Sequence, residues 1–278
     1  MSQAMNALED IFRASFETIT LQRQGAVARV TLARPELRNA FNEKAIAELT
    51  EAFSALAKLA DLRVVVLAAQ GKAFCAGADL NWMKAMACYS WDDNHADAAR
   101  LAHMLWTLYS CPVPVVARVQ GDAYAGGVGL LSACDVVVAA DSAGFCLSEA
   151  KLGLLPATIA PYVVRALGAQ ASRRYFVTAE RFSAAEALRL GLVHEMAPAE
   201  ALDTRVEALV TAIVANGPAA VRACKKLVQD VAHAPITPEL RDDTARRIAD
   251  IRASDEGREG VQSFLARRVP AWLAGEGA

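Results

Sequence analysis

Two glycine-rich segments and one glutamate are the residues of this 278-residue chain whose types and spacing best suit chemistry. The segments are Gly71-Lys72-Ala73-Phe74-Cys75-Ala76-Gly77-Ala78-Asp79 and Ala125-Gly126-Gly127-Val128-Gly129, and Glu149 follows in Leu147-Ser148-Glu149. Each segment is predicted to turn the chain into a helix-like stretch, where unpaired backbone N–H groups favour developing negative charge. A nearby carboxylate would then move a proton on the adjacent carbon. These residues therefore indicate enolate chemistry on an activated carbonyl.

The two glycine segments are expected to occupy equivalent places, each after a buried strand and before a helix. Val64-Val65-Val66-Leu67 is short, β-branched and uninterrupted by polar residues, which is typical of a strand buried on both faces. The β-rich run 113–119 leads in the same way into Gly121 and the second segment. A further short strand, Phe145-Cys146-Leu147, would bring Glu149 forward.

Other elements surround this centre. The pattern predicts a hairpin over 19–32 with Gly25 in its middle, and a helix from about Asn42, its N-cap, to Ala60. Further predictions are a helix over 130–134, a strand over 136–140, and helices over 171–177, 184–190, 199–215 and 219–231. Strands thus dominate the first half and helices the second.

Three regions are expected along the chain. Residues 1–18 form an N-terminal extension, 19–198 a core that carries the active site, and 199–278 a helical oligomerisation region. No long Gly/Ser-rich or Pro-rich linker divides the core from the helices, so we expect the helices to serve the same core.

Composition and charge bound the class of protein. With 54% hydrophobic residues the chain can bury a large core, yet its apolar runs are too short to span a bilayer. A formal net charge of -2 argues against nucleic acid as the main partner. The six cysteines include no CxxC pair, which favours reduced thiols, and the N-terminus lacks the pattern of a secretory signal. We expect a soluble cytoplasmic protein that does not act at a membrane.

Several common catalytic motifs are absent from the sequence. It contains no Gly-x-x-x-x-Gly-Lys-Ser/Thr loop, no complete Gly-x-Gly-x-x-Gly fingerprint, no His-Glu-x-x-His pair and no Gly-x-Ser-x-Gly elbow. Its four histidines are too dispersed to propose a metal site. Nucleotide hydrolysis, zinc chemistry and serine hydrolysis are therefore not supported.

Taken together, the motifs resemble the enoyl-CoA hydratase/isomerase, or crotonase, superfamily. The resemblance is carried by residues 72–80, by 125–130 with Cys134-Asp135 behind them, and by Ser148-Glu149 with Gly153. It extends from Arg34-Pro35 and Arg38-Asn39-Ala40 to the closing stretch 264–272. It implies an α/β fold, a crotonase-type spiral of strand-strand-helix units with a C-terminal helical layer, that assembles as a homotrimer or hexamer.

The resemblance also implies roles for individual residues. The thioester oxygen would lie between the backbone N–H groups of Ala78 and Gly126, and Glu149 would handle the proton at C2. The residues that match the family's coenzyme A contacts are Arg38, Ala76, Asp79, Leu80, Asn81 and Arg267, of which Asp79 is also a candidate helix cap. Coenzyme A would enter as part of the substrate, so no separate cofactor or metal is expected.

One position departs from the family pattern. Hydratases of this family usually use two glutamates, and the position that matches the first is Gly129. A single carboxylate at the position of Glu149 is also how the family's isomerases shuttle a proton between C2 and C4. Hydration is favoured over isomerisation because residues 78–83 and 155–161 look most like bacterial methylglutaconyl-CoA hydratases of leucine breakdown. The carboxylate of such a substrate would help to orient water in the space that Gly129 vacates.

Two further alternatives remain open at this stage. An isohexenylglutaconyl-type substrate would suit the same motifs. The second alternative is not an enzyme but an RNA-binding protein on a crotonase scaffold. It is suggested by four basic pairs in the helical half, at 173–174, 225–226, 246–247 and 267–268. Solvated helix faces in an acidic protein explain those pairs better.

Overall fold

The computed structural model of the protein describes residues 10–274. Residues 1–9 of the expected N-terminal extension and residues 275–278 of the expected C-terminal region lie outside the described residues. The chain divides into two compact units, one ending at Ala208 and the other beginning at Leu209. The division falls inside a helix, Leu202–Val214, a few residues after the boundary expected at residue 198.

Two sheets organise the first unit. Their strands are β1 (Ile19–Gln24), β2 (Val27–Leu32), β3 (Val64–Ala69), β4 (Val115–Val119), β5 (Ala123–Tyr124), β6 (Val136–Ala140), β7 (Gly144–Cys146), β8 (Arg181–Ser183) and β9 (Glu195–Ala197). The larger sheet has the order β1-β2-β3-β4-β6-β9, and the smaller has the order β5-β7-β8. Strands β1 and β2 form the predicted antiparallel hairpin, and the larger sheet is parallel from β2 onward.

The centre of the larger sheet is apolar on both faces. All six residues of β3 are buried, which confirms the prediction made from their β-branched run. Strand β4 pairs with β3 in parallel, with Val65 opposite Val115. Because parallel strands present their carboxyl ends at one edge of a sheet, the two glycine segments that follow β3 and β4 leave it at the same edge.

Helices α1 (Glu43–Leu56), α2 (Leu80–Met86), α3 (Trp91–Tyr109), α4 (Gly126–Ser132), α5 (Ala160–Thr178), α6 (Ala184–Leu190) and α7 (Leu202–Val214) follow in order. The Asn42 side chain caps α1 by accepting the Ala45 N–H, as predicted, but the helix ends at Leu56 rather than Ala60. Helix α3 was not predicted, although Ser90 and Asp93 form a capping box at its start. Helix α5 begins before the predicted residue 171, and Gly168, with φ 75°, interrupts it.

The described part of the N-terminal extension is attached to α1. The buried carboxylate of Glu48 accepts the Glu17 N–H at 2.9 Å, the Thr18 N–H at 2.8 Å and the Thr18 hydroxyl at 2.5 Å. Burial alone would raise the pKa of Glu48, but these hydrogen bonds and Lys44 hold it below its ordinary value. The carboxylate therefore fixes the entry into β1.

The second unit continues with α8 (Pro218–Val231), α9 (Pro238–Ala253), α10 (Asp255–Leu265) and α11 (Ala271–Ala274). The Glu256 carboxylate on α10 accepts the N–H groups of Ala219 and Ala220, which caps the first turn of α8. Within residues 10–274 no single helix is long and apolar enough to cross a bilayer, and only residues 199–231, taken as two helices across a bend, reach that length and composition.

Candidate active site

The first glycine segment is held against the loop that follows β2. The Asn39 side chain, itself buried, donates to the carbonyl oxygens of Gln70 at 2.8 Å and Ala73 at 3.0 Å. Gly77 has a φ of +88°, a conformation that L side chains rarely adopt. The segment therefore depends on glycine at position 77 and continues through Ala78 into α2.

The second glycine segment turns even more sharply. Ala125, the residue between β5 and α4, has φ 48° and ψ -117°. A non-glycine residue in so sparsely populated a region costs on the order of 1–3 kcal/mol, and such strain clusters at functional sites. The Ala125 N–H donates to the Cys146 carbonyl at 2.8 Å, which ties the turn to β7. Gly126 then forms the first residue of α4.

The two turns touch each other. The Tyr124 N–H donates to the Cys75 carbonyl at 2.8 Å, and Cys75 and Ala123 form a parallel bridge. A β-carbon on Gly77 would lie 3.1 Å from that of Ala125. The predicted donors, Ala78 and Gly126, are each the next residue along from this contact.

The two predicted donor amides, the N–H groups of Ala78 and Gly126, are not used in hydrogen bonds to the neighbouring main chain among the described residues. Phe41 bridges the segment at Ala78 by donating to the Gly77 carbonyl and accepting the Asp79 N–H, both at 2.7 Å. This parallel bridge directs the N–H of Ala78 itself away from Phe41. The N–H of Gly126 is in the first turn of α4, and neither amide donates to an acceptor within residues 10–274. Two free donors on touching turns suit an oxyanion.

Glu149 supplies the carboxylate. It follows β7, which pairs with β5 through Tyr124 and Cys146, so its strand runs beside the second turn. Its Oε2 atom is buried and has no hydrogen-bond partner within the described residues. Burial raises the pKa of Glu149, and only its own backbone N–H opposes that shift. A raised pKa makes the carboxylate a stronger base. It also keeps the carboxyl group protonated to a higher pH, so that the group can later act as an acid.

The space beside Gly129 is not vacant, which corrects the expectation that water would be oriented there. A β-carbon on Gly129 would overlap the Ile159 side chain, whose Cβ would lie only 2.7 Å away. Ile159 is the N-cap residue of α5 and is 2% exposed. An isoleucine therefore covers the position where a second glutamate would start.

A cavity of about 1020 Å³ lies at the strand edge from which the turns emerge. Its walls include Arg38 and Ala76, two of the residues predicted to contact coenzyme A, together with Lys72, Tyr124 and Arg181. The cavity reaches the second turn at Tyr124, two residues before Gly126. Glu36 and Asp122 also line the cavity, and Asp122 is paired with Arg181. Arg38 and Lys72 therefore supply the positive charge that suits a phosphorylated ligand whose reactive end lies at the turns.

The other predicted contact residues differ in their surroundings. Asp79 is buried and committed to the protein: it caps α2 by accepting the Asn81 N–H and pairs with Arg34. Leu80 is 74% exposed, and Asn81 is exposed beside it. Arg267 lies in the second unit with φ 54° and an exposed side chain. Coenzyme A contacts by these residues remain predictions.

Acidic partners reduce the charge of the basic pairs. Arg174 pairs with Glu180, Lys226 with Asp230, Arg246 with Asp242, Arg247 with Asp230 and Asp243, and Arg268 with Glu259. At least one member of every pair is thus engaged by a carboxylate. These pairs do not form the continuous unneutralised patch that nucleic acid would need.

Sequence reasoning missed four residues of this site. Lys72 stood inside a quoted motif but was not assigned to the cavity. Arg34 and Ile159 stood inside quoted segments, Arg34-Pro35 and 155–161, but neither was given a role, because their roles arise from contacts with Asp79 and Gly129. Phe41 was not named, and no local signal pointed to its contact with Ala78.

The fold thus brings together two touching turns, each with a main-chain amide that has no acceptor among the described residues. Residues 22–275 match the Enoyl-CoA hydratase/isomerase family. The chain is 32% identical over 255 residues to enoyl-CoA hydratase AKT6-1 of Alternaria alternata, covering 89% of this chain and 81% of that relative.

Solved structures agree with this assignment. An enoyl-CoA hydratase from Shewanella pealeana superposes with a TM-score of 0.91 at 38% identity, over 95% of this chain and 99% of that one. An enoyl-CoA hydratase from Mycobacterium smegmatis gives 0.88 at 37% identity, over 92% and 99%. The protein belongs to the enoyl-CoA hydratase/isomerase family, and its mixed α/β architecture is the crotonase fold.

Proposed function

We propose that this protein adds water to the C2–C3 double bond of an enoyl-CoA thioester, with 3-methylglutaconyl-CoA of leucine breakdown as its substrate. The observation that carries the proposal is a buried carboxylate oxygen of Glu149 without a partner among the described residues. Glu149 lies three residues after β7, the strand that pairs with the start of the second turn, and that turn touches the first. A carboxylate and main-chain amide donors are the two kinds of group that enolate chemistry requires.

In the proposed mechanism, Glu149 acts twice. Its carboxylate takes a proton from water as the water oxygen bonds to C3, and the electron pair of the double bond moves to give an enolate. The Ala78 and Gly126 N–H groups donate to the enolate oxygen. The enolate then collapses, and C2 takes the proton from Glu149. One water is added and the carboxylate is regenerated.

The cavity holds the coenzyme A portion in this proposal. Arg38 and Lys72 meet its phosphates, and the main chain at Ala76 meets its adenine end. Both cations line the cavity, and neither forms an ion pair with another described residue. Asp79, Leu80 and Asn81 adjoin the thioester end. Arg267 is assigned to the nucleotide phosphates of the coenzyme A that is bound at a neighbouring subunit.

The substrate assignment rests on sequence and on the charge of the ligand. Residues 78–83 and 155–161 are the segments that look most like methylglutaconyl-CoA hydratases. Because Ile159 covers Gly129, water is held by Glu149 itself and by the carboxylate of the substrate. An unbranched substrate without that carboxylate, such as crotonyl-CoA, is then a poor one.

Double-bond isomerisation is the second candidate, favoured by one specific observation. With Ile159 over Gly129, the site retains the single carboxylate that shuttling a proton from C2 to C4 needs. Glu149 would remove the C2 proton of a 3-enoyl-CoA, the amides would hold the same enolate, and the proton would return at C4. No water is consumed.

The proposal includes a homotrimer or hexamer in the cytoplasm. In the second unit Phe264, Leu265 and Val269 are 81%, 74% and 62% exposed, which is a large apolar surface for a single chain. The six cysteines are free thiols, in keeping with a reducing compartment. Sedimentation of the purified protein measures the number of subunits directly.

The test is to incubate the protein with 3-methylglutaconyl-CoA, with crotonyl-CoA and with a 3-enoyl-CoA, and to follow products by mass. Glu149→Gln is compared with Glu51→Gln, which alters an exposed carboxylate on α1. We expect a gain of one water on 3-methylglutaconyl-CoA that Glu149→Gln abolishes and Glu51→Gln keeps. Conversion of the 3-enoyl-CoA without a gain of water on any substrate would replace hydration by isomerisation.

A further inference from the structure

A buried ion pair lies directly beside the first oxyanion donor. Arg34 Nη2 donates to Asp79 Oδ2 at 2.7 Å, and the two side chains are 15% and 7% exposed. The other arm of the guanidinium, Nη1, donates to the Ala40 carbonyl at 2.9 Å. One arginine therefore joins the segment before Phe41 to the residue after Ala78.

The main chain on both sides of Ala78 depends on the same join. Phe41 is bonded to the Gly77 carbonyl and to the Asp79 N–H, so that Ala78 is held between two hydrogen bonds to one residue. Asp79 also accepts the Asn81 N–H at 2.8 Å, which starts α2. If Asp79 shifts, the peptide plane that carries the Ala78 N–H rotates with it.

We propose that Arg34 and Asp79 are positioning residues that set the direction of the Ala78 N–H toward the thioester oxygen. The inference rests on the proposed oxyanion role of Ala78, but not on which reaction follows the enolate. In this proposal neither side chain touches the reacting atoms. Both act through the main chain from Gly77 to Asp79, which carries the Ala78 N–H.

The pair is built to hold one geometry. Burial raises the pKa of Asp79, yet the hydrogen bonds from Arg34 and the Asn81 N–H outweigh it and keep the pKa below its ordinary value. The carboxylate thus stays charged, and charge-assisted bonds of this kind are directional. Removing either partner leaves the other buried without its counter-charge.

The experiment uses butyryl-CoA labelled with ¹³C at its carbonyl, a saturated thioester that binds without needing to react. Infrared difference spectra of the bound ligand report how strongly the carbonyl accepts hydrogen bonds. The variants are Arg34→Met, Arg34→Lys, Asp79→Asn and Arg34→Met/Asp79→Asn. Arg118→Met is the control, because it removes an arginine–aspartate pair at Asp203 that contacts neither turn.

We expect wild type and Arg118→Met to shift the carbonyl band to lower frequency, and Arg34→Met and Asp79→Asn to lose most of that shift. The kcat of Arg34→Met and of Asp79→Asn should fall about 10-fold to 100-fold at nearly constant KM. Arg34→Lys should keep part of the band shift and part of kcat. The double variant should have a kcat no lower than that of the poorer single variant.

Two results would overturn the proposal. One is a folded Arg34→Met or Asp79→Asn protein with an unchanged carbonyl band. The other, decisive if Arg34→Met fails to fold, is Arg34→Lys and Asp79→Asn proteins that keep both the band and kcat. If the protein hydrates no substrate but its carbonyl band shift still depends on Arg34, the positioning role is supported and the proposed hydration is contradicted.

Discussion

The Ile159 side chain occupies the place that a β-carbon on Gly129 would need. Gly129 lies three residues after Gly126 in α4, so the two glycines share a face of that helix. One of them carries a proposed oxyanion donor, and the other is covered by an apolar side chain from the start of α5. Because residue 129 is a glycine and its space is filled, the proposed chemistry depends on the carboxylate of Glu149.

Gly129→Ala should therefore destabilise the protein. The added methyl overlaps Ile159, and overpacking of this kind typically costs about 1–3 kcal/mol of the free energy of unfolding. Ile159→Ala removes Cγ2, the closer of the two overlapping side-chain atoms, keeps Cβ, and opens a cavity of its own. Urea titrations measure the free energy of unfolding of both single variants and of the double variant. The losses of the two single variants should sum to more than the loss of the double variant. Additive costs would contradict the contact.

Gly126→Ala should lower kcat through the Phe41 ring. The new β-carbon would lie 2.9 Å from Phe41 Cε2, so the ring or the start of α4 has to move. Displacing one oxyanion donor without deleting it should cost about 10-fold to 100-fold in kcat. Steady-state kinetics of Gly126→Ala, alone and combined with Phe41→Leu, measure this effect. The smaller leucine should restore part of kcat, and no recovery would locate the damage elsewhere.

Glu149→Gln should stabilise the protein at neutral pH while removing its activity. The folded state raises the pKa of Glu149 above its ordinary value of 4.5, so wild-type stability is lost as pH rises through the folded pKa. Glutamine does not titrate. The Tm of Glu149→Gln should therefore exceed that of wild type near pH 7, and the difference should shrink toward pH 4.5. A difference that grows on acidification would contradict the raised pKa.

Arg38→Ala should weaken binding of the coenzyme A portion and leave the chemical step intact. Loss of one exposed phosphate contact is worth about 1 kcal/mol, or roughly a fivefold rise in KM. Free coenzyme A as a competitive inhibitor should weaken by the same factor, and added salt should reduce the gap between variant and wild type. Arg13→Ala, an equal change of charge outside this cavity, should leave both constants unaltered.

Local pattern was enough to predict the elements that deliver the site. The β-branched run at Val64 predicted a strand buried on both faces, Asn42 predicted a helix start, and the glycines predicted two turns in equivalent places. These features depend on backbone conformation and on alternation within a few residues, so they can be read from the order of residues. Helix α3 was missed although its capping box is local, whereas the break at Gly168 hid the first half of α5.

What the sequence determined by itself was the family, the α/β architecture and the residue types available for enolate chemistry. The tertiary structure decided which of them meet: that Phe41 brackets Ala78, that Arg34 is joined to Asp79, that Lys72 faces the same cavity as Arg38, and that Ile159 fills the space beside Gly129. Such contacts join residues up to 45 positions apart in the chain. They depend on how elements pack, and packing at this density lets a single methyl group decide whether a site is open or closed.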